Sequence, residues 1–245
     1  MGALYIVATP IGNLQDLSLR AIEILTKVQI IACEDTRHTG FLFKHIKQLR
    51  HSGNQAKPGH PESPILLSYY EQNEFKRIPQ IMNSLKNGLD VALVSDAGTP
   101  TISDPGFKLV RECISQGIKV ESIPGPSSVI SALVVSGLPT DKFLFIGYPP
   151  KKGGKREKLF SELFRYYKTF KQIRPTIIFF EAPHRLIQTL SDLKDVFGNI
   201  HIVICRELTK IHEEIRRESI KDAITHFSKT SPKGEFVLLF NPKEQ

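Results

Sequence analysis

The residues whose types and spacing could do chemistry crowd into one stretch, Val91 to Gly106, VALVSDAGTPTISDPG. Two prolines and two glycines fall between Gly98 and Gly106, so neither strand nor helix can run through and the backbone must turn sharply twice. Gly98 and Gly106 leave room for backbone to approach a ligand with no Cβ in the way. The device recurs where KVESI runs into PGPSS. These loops offer small side chains, Ser and Thr hydroxyls and, in DAGTP, the carboxylate of Asp96. Such a lining suits a neutral or zwitterionic ligand held by backbone groups. The bland alternative, a pair of tight surface turns, ranks second, because both loops fit one βαβ unit of ~30 residues with its ligand site at the strand ends.

Other chemistries lack their usual signatures. GGKR at 153–156 has Arg156 where a P-loop needs Ser or Thr after the lysine, and no GxGxxG run is present. His212-Glu213-Glu214 lacks the second histidine of a zinc-protease helix, and no Ser or Cys sits in a nucleophile elbow. Cys33, Cys113 and Cys205 are too widely spaced for a metal knuckle and odd in number. They predict no metal site, no disulfide framework and a reducing, cytoplasmic compartment. MGALYIVATP has no basic leader region, Ile6 breaks the myristoylation pattern, and the apolar runs are too short for a membrane span.

The net charge of +8 is unevenly placed. Residues 1–141 hold 13 basic and 13 acidic side chains, whereas residues 142–245 hold 20 and 12. Within 151–174, KKGGKREKLFSELFRYYKTFKQIR, nine basic residues face two acidic ones and interleave with Phe160, Phe164, Tyr166, Tyr167 and Phe170. Cations beside exposed aromatic faces suit a phosphate backbone with unstacked bases, which makes Lys151, Lys152, Lys155 and Arg156 candidate RNA contacts. A helix that turns its aromatics to the core would account for Phe160 and Phe164, four apart on one face, but not for the basic excess.

Apolar runs and caps predict the elements that position these groups. Strands are expected at 4–8, 28–33, 65–70, 91–95 and 119–123, with helices near 19–27, 40–50, 74–87 and 107–116. HSGNQAKPGHPESP, 51–64, reads as a loop long enough to act as a lid. VISALVVSGLP reads as a buried helix, with a domain boundary near Asp141. The second half restarts with KFLFIGYPP, a basic helix, TIIFF, the EAPHR turn and a helix to about Val196. IHIVIC, the RELTK turn, the helix IKDAITHFSK and the strand GEFVLLF complete it. The expectation is two α/β domains, 1–141 and 142–245. TPIGN, EDTRH, DAGTP, PGPSS, EAPHR and RELTK each follow an apolar strand, so all six should lie at carboxyl strand ends, where an interdomain cleft would gather them.

VALVSDAGTPTISDPG and IPGPSS, preceded by ATPIGNL and EDTRHTG and followed by FFEAPHR and RELTK, together resemble the tetrapyrrole-methylase superfamily from residue 4 to about residue 240. More narrowly, the chain is similar to the bacterial branch that methylates a cytidine 2'-hydroxyl in small-subunit ribosomal RNA. The resemblance implies a homodimer of two-domain α/β chains of the class III methyltransferase type, with S-adenosylmethionine in an interdomain cleft. It also implies an RNA target in the decoding region of 16S rRNA, within the 30S subunit. Its cofactor contacts fall on Pro10, Asp96, Ala97, Gly98, Thr99, Ile102, Ser127 and Ser128, with Phe180 and Glu181 from the second domain. Many members carry a further small carboxy-terminal segment, whose RNA contacts would pass here to residues 151–174.

Methyl transfer from a sulfonium is an in-line displacement, so alignment supplies much of the rate and a carboxylate can take the hydroxyl proton. The resemblance places Glu34 first for that role, Asp35 second and Glu181 third. A structural ion pair among Glu34, Asp35 and Arg37 carries comparable weight. Arg37, His38, His184, Arg185 and Arg206 are expected to contact substrate, although His184 and Glu207 equally suit structural hydrogen bonds. Asn73 and Glu74 fit either the cleft or a helix N-terminus. Two rivals remain: a same-fold methyltransferase acting on a small corrin-like molecule, and a non-catalytic RNA-binding module.

Overall fold

The computed structural model of the protein describes residues 1–52, 64–170 and 172–242. The stretch expected to form a lid falls, from residue 53 to residue 63, outside them. The chain divides into two compact units, Met1–Ser127 and Ser128–Gln245.

The first unit is built on five parallel strands, β1 (Leu4–Val7), β2 (Ile30–Cys33), β3 (Ile65–Ser68), β4 (Val91–Val94) and β5 (Val120–Ile123), in the order β3-β2-β4-β1-β5. β2 and β4 are buried at every position, as inner strands covered on both faces must be. Alternate residues feed two cores. Leu4, Ile30, Ala32, Val91 and Leu93 pack under α3 (Glu74–Lys86) and α4 (Phe107–Ser115). Ile31, Cys33, Ala92 and Val94 pack under α1 (Leu19–Lys27) and α2 (Thr36–Ser52). Helix α1 starts where Ser18 Oγ accepts the Ala21 amide at 3.1 Å. Helix α2 begins at Thr36 rather than near Gly40, so Thr36, Arg37 and His38 form its first turn. β4 and β1 lie side by side, and their continuing chain runs in opposite directions, toward β5 and β2. The loops after these two strands therefore part from neighbouring points on one rim.

The second unit opens with α5 (Ser128–Ser136), which packs on β10 (Phe236–Phe240) and β7 (Thr176–Glu181). That packing sets the division before α5, earlier than the expected Asp141. With β6 (Phe143–Phe145), β8 (His201–Arg206) and β9 (Glu214–Ser219), the sheet runs β6-β7-β10-β8-β9, and every pairing except β6 with β7 is antiparallel. Its main core lies under α6 (Gly153–Thr169), α7 (Leu186–Phe197) and α8 (Ile220–Lys229).

This core takes most of the aromatics of the basic segment. Phe160 and Tyr167 are buried and Phe164 and Tyr166 pack partly against it, while Phe170 is exposed beside Tyr166. The stacking platform expected for bases is thus largely spent on packing, because helical spacing turns those residues inward.

Strand β9 was not expected. Its EIRRES sequence has one apolar residue, Ile215, and it becomes a strand through its ladder with β8. At this sheet edge Arg216 is clamped by Glu218 at 2.6 Å and Glu214 at 3.1 Å. Cys33, Cys113 and Cys205 are buried and free. Burial pushes the Cys113 thiol up to about 11 and the Cys205 thiol to about 12, so both act as inert packing. Among the described residues no helix is long and apolar enough to cross a membrane.

Candidate active site

All five strands of the first sheet end on one rim. Backbone pairing stitches two of its loops together: the Thr9 amide donates to the Gly98 carbonyl at 2.9 Å and the Gly98 amide to the Thr9 carbonyl at 3.0 Å. A third loop joins through Thr99 Oγ1, which donates to the Pro126 carbonyl at 3.0 Å. Gly98 has φ +79°, and a Cβ there would lie 3.3 Å from Ile11 Cγ2. Pro10 is buried beside this seam, Thr99 and Ser127 are half-buried, and Asp96, Ala97 and Ile102 are exposed. Backbone, small side chains and a close-packed glycine thus line the rim where the resemblance puts the methyl donor, and they fit a zwitterionic nucleoside.

Downstream the chain is strained. Thr101 has φ 74° and Ser103 φ 63°, left-handed values that are costly for β-branched and other non-glycine residues. Gly106 follows at φ +132°, where a Cβ would meet Leu93 Cδ2 at 2.5 Å. The two other non-glycine residues with positive φ among those described, Glu207 and Thr209, lie in RELTK. Strain is concentrated in RELTK and in the TISDPG turn that follows DAGTP.

The carboxylates on this rim differ sharply. Asp35 accepts from Arg37 Nη2 at 2.6 Å, from Arg37 Nε at 3.1 Å and from the Arg37 amide at 2.8 Å. The Arg37 guanidinium and amide hold its carboxyl far below the usual carboxylate range. The ion pair expected in EDTRH therefore joins Asp35 and Arg37. Glu34 is half-buried, and burial, with Asp96 and Asp104 as like charges nearby, pushes its carboxyl up. Asp96 Oδ1 accepts the Asp35 amide at 3.0 Å and Oδ2 lies 3.6 Å from His38 Nδ1, tying DAGTP to EDTRH. Asp104, inside the motif stretch but not singled out from sequence, bonds Ser95 and is likewise pushed up by burial. Among the described residues no group of His, Cys, Asp and Glu could hold a metal ion.

In the second unit, Phe236 pairs with Glu181 on one side and Arg206 on the other, so EAPHR and RELTK share one end of the sheet. Glu181 is buried, accepts Thr189 Oγ1 at 2.5 Å and the Ala182 amide at 2.8 Å, and pairs with Arg185 at 3.1 Å. These bonds tie it to the EAPHR turn and to α7. Arg185 also donates to the Pro149 carbonyl at 2.6 Å. Arg206 donates to the Lys233 carbonyl at 2.7 Å and lies 3.4 Å from Glu214. Glu207 accepts the Glu235 amide and Lys210 Nζ, each at 3.0 Å. His184 is exposed, and Phe180 packs edge-on against Phe145 and Tyr148. Ser128 is the first residue of α5. Lys151, Lys152 and Lys155 are exposed at the start of α6. Arg156 is not: it is 3% exposed and pairs with Asp192 through Nε at 2.7 Å and Nη2 at 2.5 Å. Its place in the basic run is internal, one turn into a helix whose next layer is core.

The family model described as Tetrapyrrole (Corrin/Porphyrin) Methylases matches residues 3–224. The chain belongs to this family. It is 43% identical over 244 residues, covering all of both chains, to the ribosomal RNA small subunit methyltransferase I of Thermotoga maritima. It is 44% identical to the protein of that name from Synechocystis, over 98% of this chain and 78% of that one. Among tetrapyrrole methylases of known structure, the methyltransferase CobJ aligns over 98% of this chain and 95% of its own at a TM-score of 0.67 and 16% identity. Uroporphyrin-III C-methyltransferase from Thermus thermophilus, crystallised with S-adenosylhomocysteine, aligns over 97% of each chain at 0.60 and 15%. At such identities the structures share the fold, two α/β units of the tetrapyrrole-methylase type.

Proposed function

We propose that the protein transfers a methyl group from S-adenosylmethionine to the 2'-hydroxyl of a cytidine in the decoding region of 16S ribosomal RNA, in the cytoplasm and on the 30S subunit. The observation that carries this reading is the rim of the first sheet, where three backbone-lined loops meet beside a carboxylate whose pKa is raised. The full-length likeness to relatives named ribosomal RNA small subunit methyltransferase I supports the RNA target. Bound there, S-adenosylmethionine supplies an electrophilic methyl on a sulfonium.

The chain's own residues then have separate tasks. Gly98, Thr99 and Pro126, locked to one another and to Thr9, orient the donor through backbone groups. Glu34 would take the proton that leaves the ribose hydroxyl. Asp35 is too weak a base for this and keeps Arg37 aimed at substrate phosphate. Lys151, Lys152 and Lys155 hold the RNA backbone, and the +8 surplus in the second half favours a polynucleotide over a corrin-like small molecule.

The protein acts as a homodimer. Supporting this, Phe107 and Ile114 lie seven apart on α4, 64% and 65% exposed, and Phe75 on the neighbouring α3 is 77% exposed. An apolar face of this kind suits a second copy of the same chain. Phe107→Glu is expected to yield monomers by light scattering; an unchanged mass would remove that face from the interface.

The function is tested by incubating purified protein and labelled S-adenosylmethionine with 30S subunits from cells lacking it, then mapping ribose methylation. Label on a cytidine 2'-oxygen of 16S rRNA is expected. Label on a tetrapyrrole instead, or no transfer at all, would overturn the reading.

A further inference from the structure

We infer that Glu74 is a positioning residue for the methyl donor: through the Gly106 amide it holds the TISDPG turn in the shape the donor requires. This rests on the reading of the first rim as the donor site. Glu74 opens α3, where an acid could simply face the helix dipole. Its bonds go elsewhere. The carboxylate is 4% exposed and takes three donors: Tyr69 Oη at 2.8 Å and the Gly106 amide at 3.1 Å on Oε1, and Lys108 Nζ at 2.8 Å on Oε2. Two of the three come from the turn and from the helix that follows it.

The turn needs such a hold. Thr101 and Ser103 sit in left-handed conformations, and Gly106 is wedged where a Cβ would strike Leu93 and Thr101. Strained backbone of this kind persists only where its surroundings over-determine it. The Gly106 amide lies at the N-cap of α4 and has no partner within that helix, so Glu74 supplies what the helix cannot. Ile102, a donor contact in the proposed site, lies between the two strained residues. Glutamine at position 74 would replace one acceptor oxygen with an NH2 group, setting a donor against either Lys108 or the Gly106 amide. The turn would then relax at its carboxyl end while the sheet beneath it stays intact.

The test is calorimetry with S-adenosylhomocysteine on wild type, Glu74→Gln and Tyr69→Phe, alongside steady-state RNA methylation. Glu74→Gln is expected to weaken the ligand about tenfold and raise the donor KM equally, with kcat at saturating donor and the RNA KM within about twofold. Tyr69→Phe keeps the ring in the core and removes one donor, so a loss of about threefold is expected, and it decides the matter if Glu74→Gln fails to fold. Unchanged ligand affinity in both variants, or kcat and both KM values shifting together, would overturn the inference. Wild type that binds no S-adenosylhomocysteine would overturn the donor site itself, a result distinct from binding that the variants leave unchanged.

Discussion

Glu34 and Asp35 are adjacent acids with opposite surroundings, and the difference makes a prediction about pH. Burial and two like charges raise the Glu34 pKa, so its proton-accepting form is lost at a higher pH than for an ordinary glutamate as the solution is acidified. The acid limb of kcat/KM should therefore lie above that of an ordinary glutamate. Glu34→Gln should abolish that limb and lower kcat by about 10²- to 10⁴-fold in single-turnover methylation, the usual reach of a general base. Asp35→Asn should leave the limb in place and cost less than about tenfold, since Asp35 stays ionised beside Arg37 and acts through position. A limb that survives in Glu34→Gln would reassign the base. The resemblance ranked Glu34 ahead of Asp35, but residue type and spacing gave no physical reason for that order. What separates them is the burial of Glu34, with Asp96 and Asp104 brought near it from more than sixty residues along the chain, against the Arg37 bonds that Asp35 accepts.

At the scale of the elements, the seam between Thr9 and Gly98 joins two strand-end loops into one surface. Gly98→Val would force a β-branched residue into φ +79° and press its side chain on Ile11. Binding of S-adenosylhomocysteine should fall below detection by calorimetry, with RNA affinity unchanged and the far-ultraviolet circular dichroism intact. Equal loss of both affinities would mean that the donor and RNA surfaces are not separate. The strand-end motifs were legible because Gly and Pro leave the backbone few choices, and α1 begins where Ser18 announces a cap. Two features were not. Helix α2 runs back to Thr36 although Asp, Thr and Gly around it would also suit a loop, and β9 exists only because β8 offers a ladder to a segment with almost no apolar content. Local pattern identifies what a segment prefers, and pairing decides between near-equal preferences.

Across the whole molecule, the charge surplus sorts into exposed and buried cations. Lys151, Lys152 and Lys155 are exposed, whereas Arg156 is locked to Asp192 inside the second unit. Changing the three lysines to alanine should flatten the slope of log affinity against log salt for RNA by about 2 to 3 units, with melting temperature unaffected. An unchanged slope would move the phosphate contacts elsewhere. Arg156 must be left out of that experiment, because its removal leaves Asp192 without its charge partner and confounds binding with folding. The composition of residues 151–174 located the surplus correctly but could not distinguish a cation that meets solvent from one that braces a helix.

The rim strand β9 bears on the same question from the opposite side. Glu214, Arg216 and Glu218 pair with one another along this edge, putting charged side chains on a strand whose backbone would otherwise template a further one. A border that balances its own electricity neither attracts nucleic acid to the wrong flank nor templates fibrils of stacked copies. On the proposed reading, polyanion contacts are thereby left to Lys151, Lys152 and Lys155.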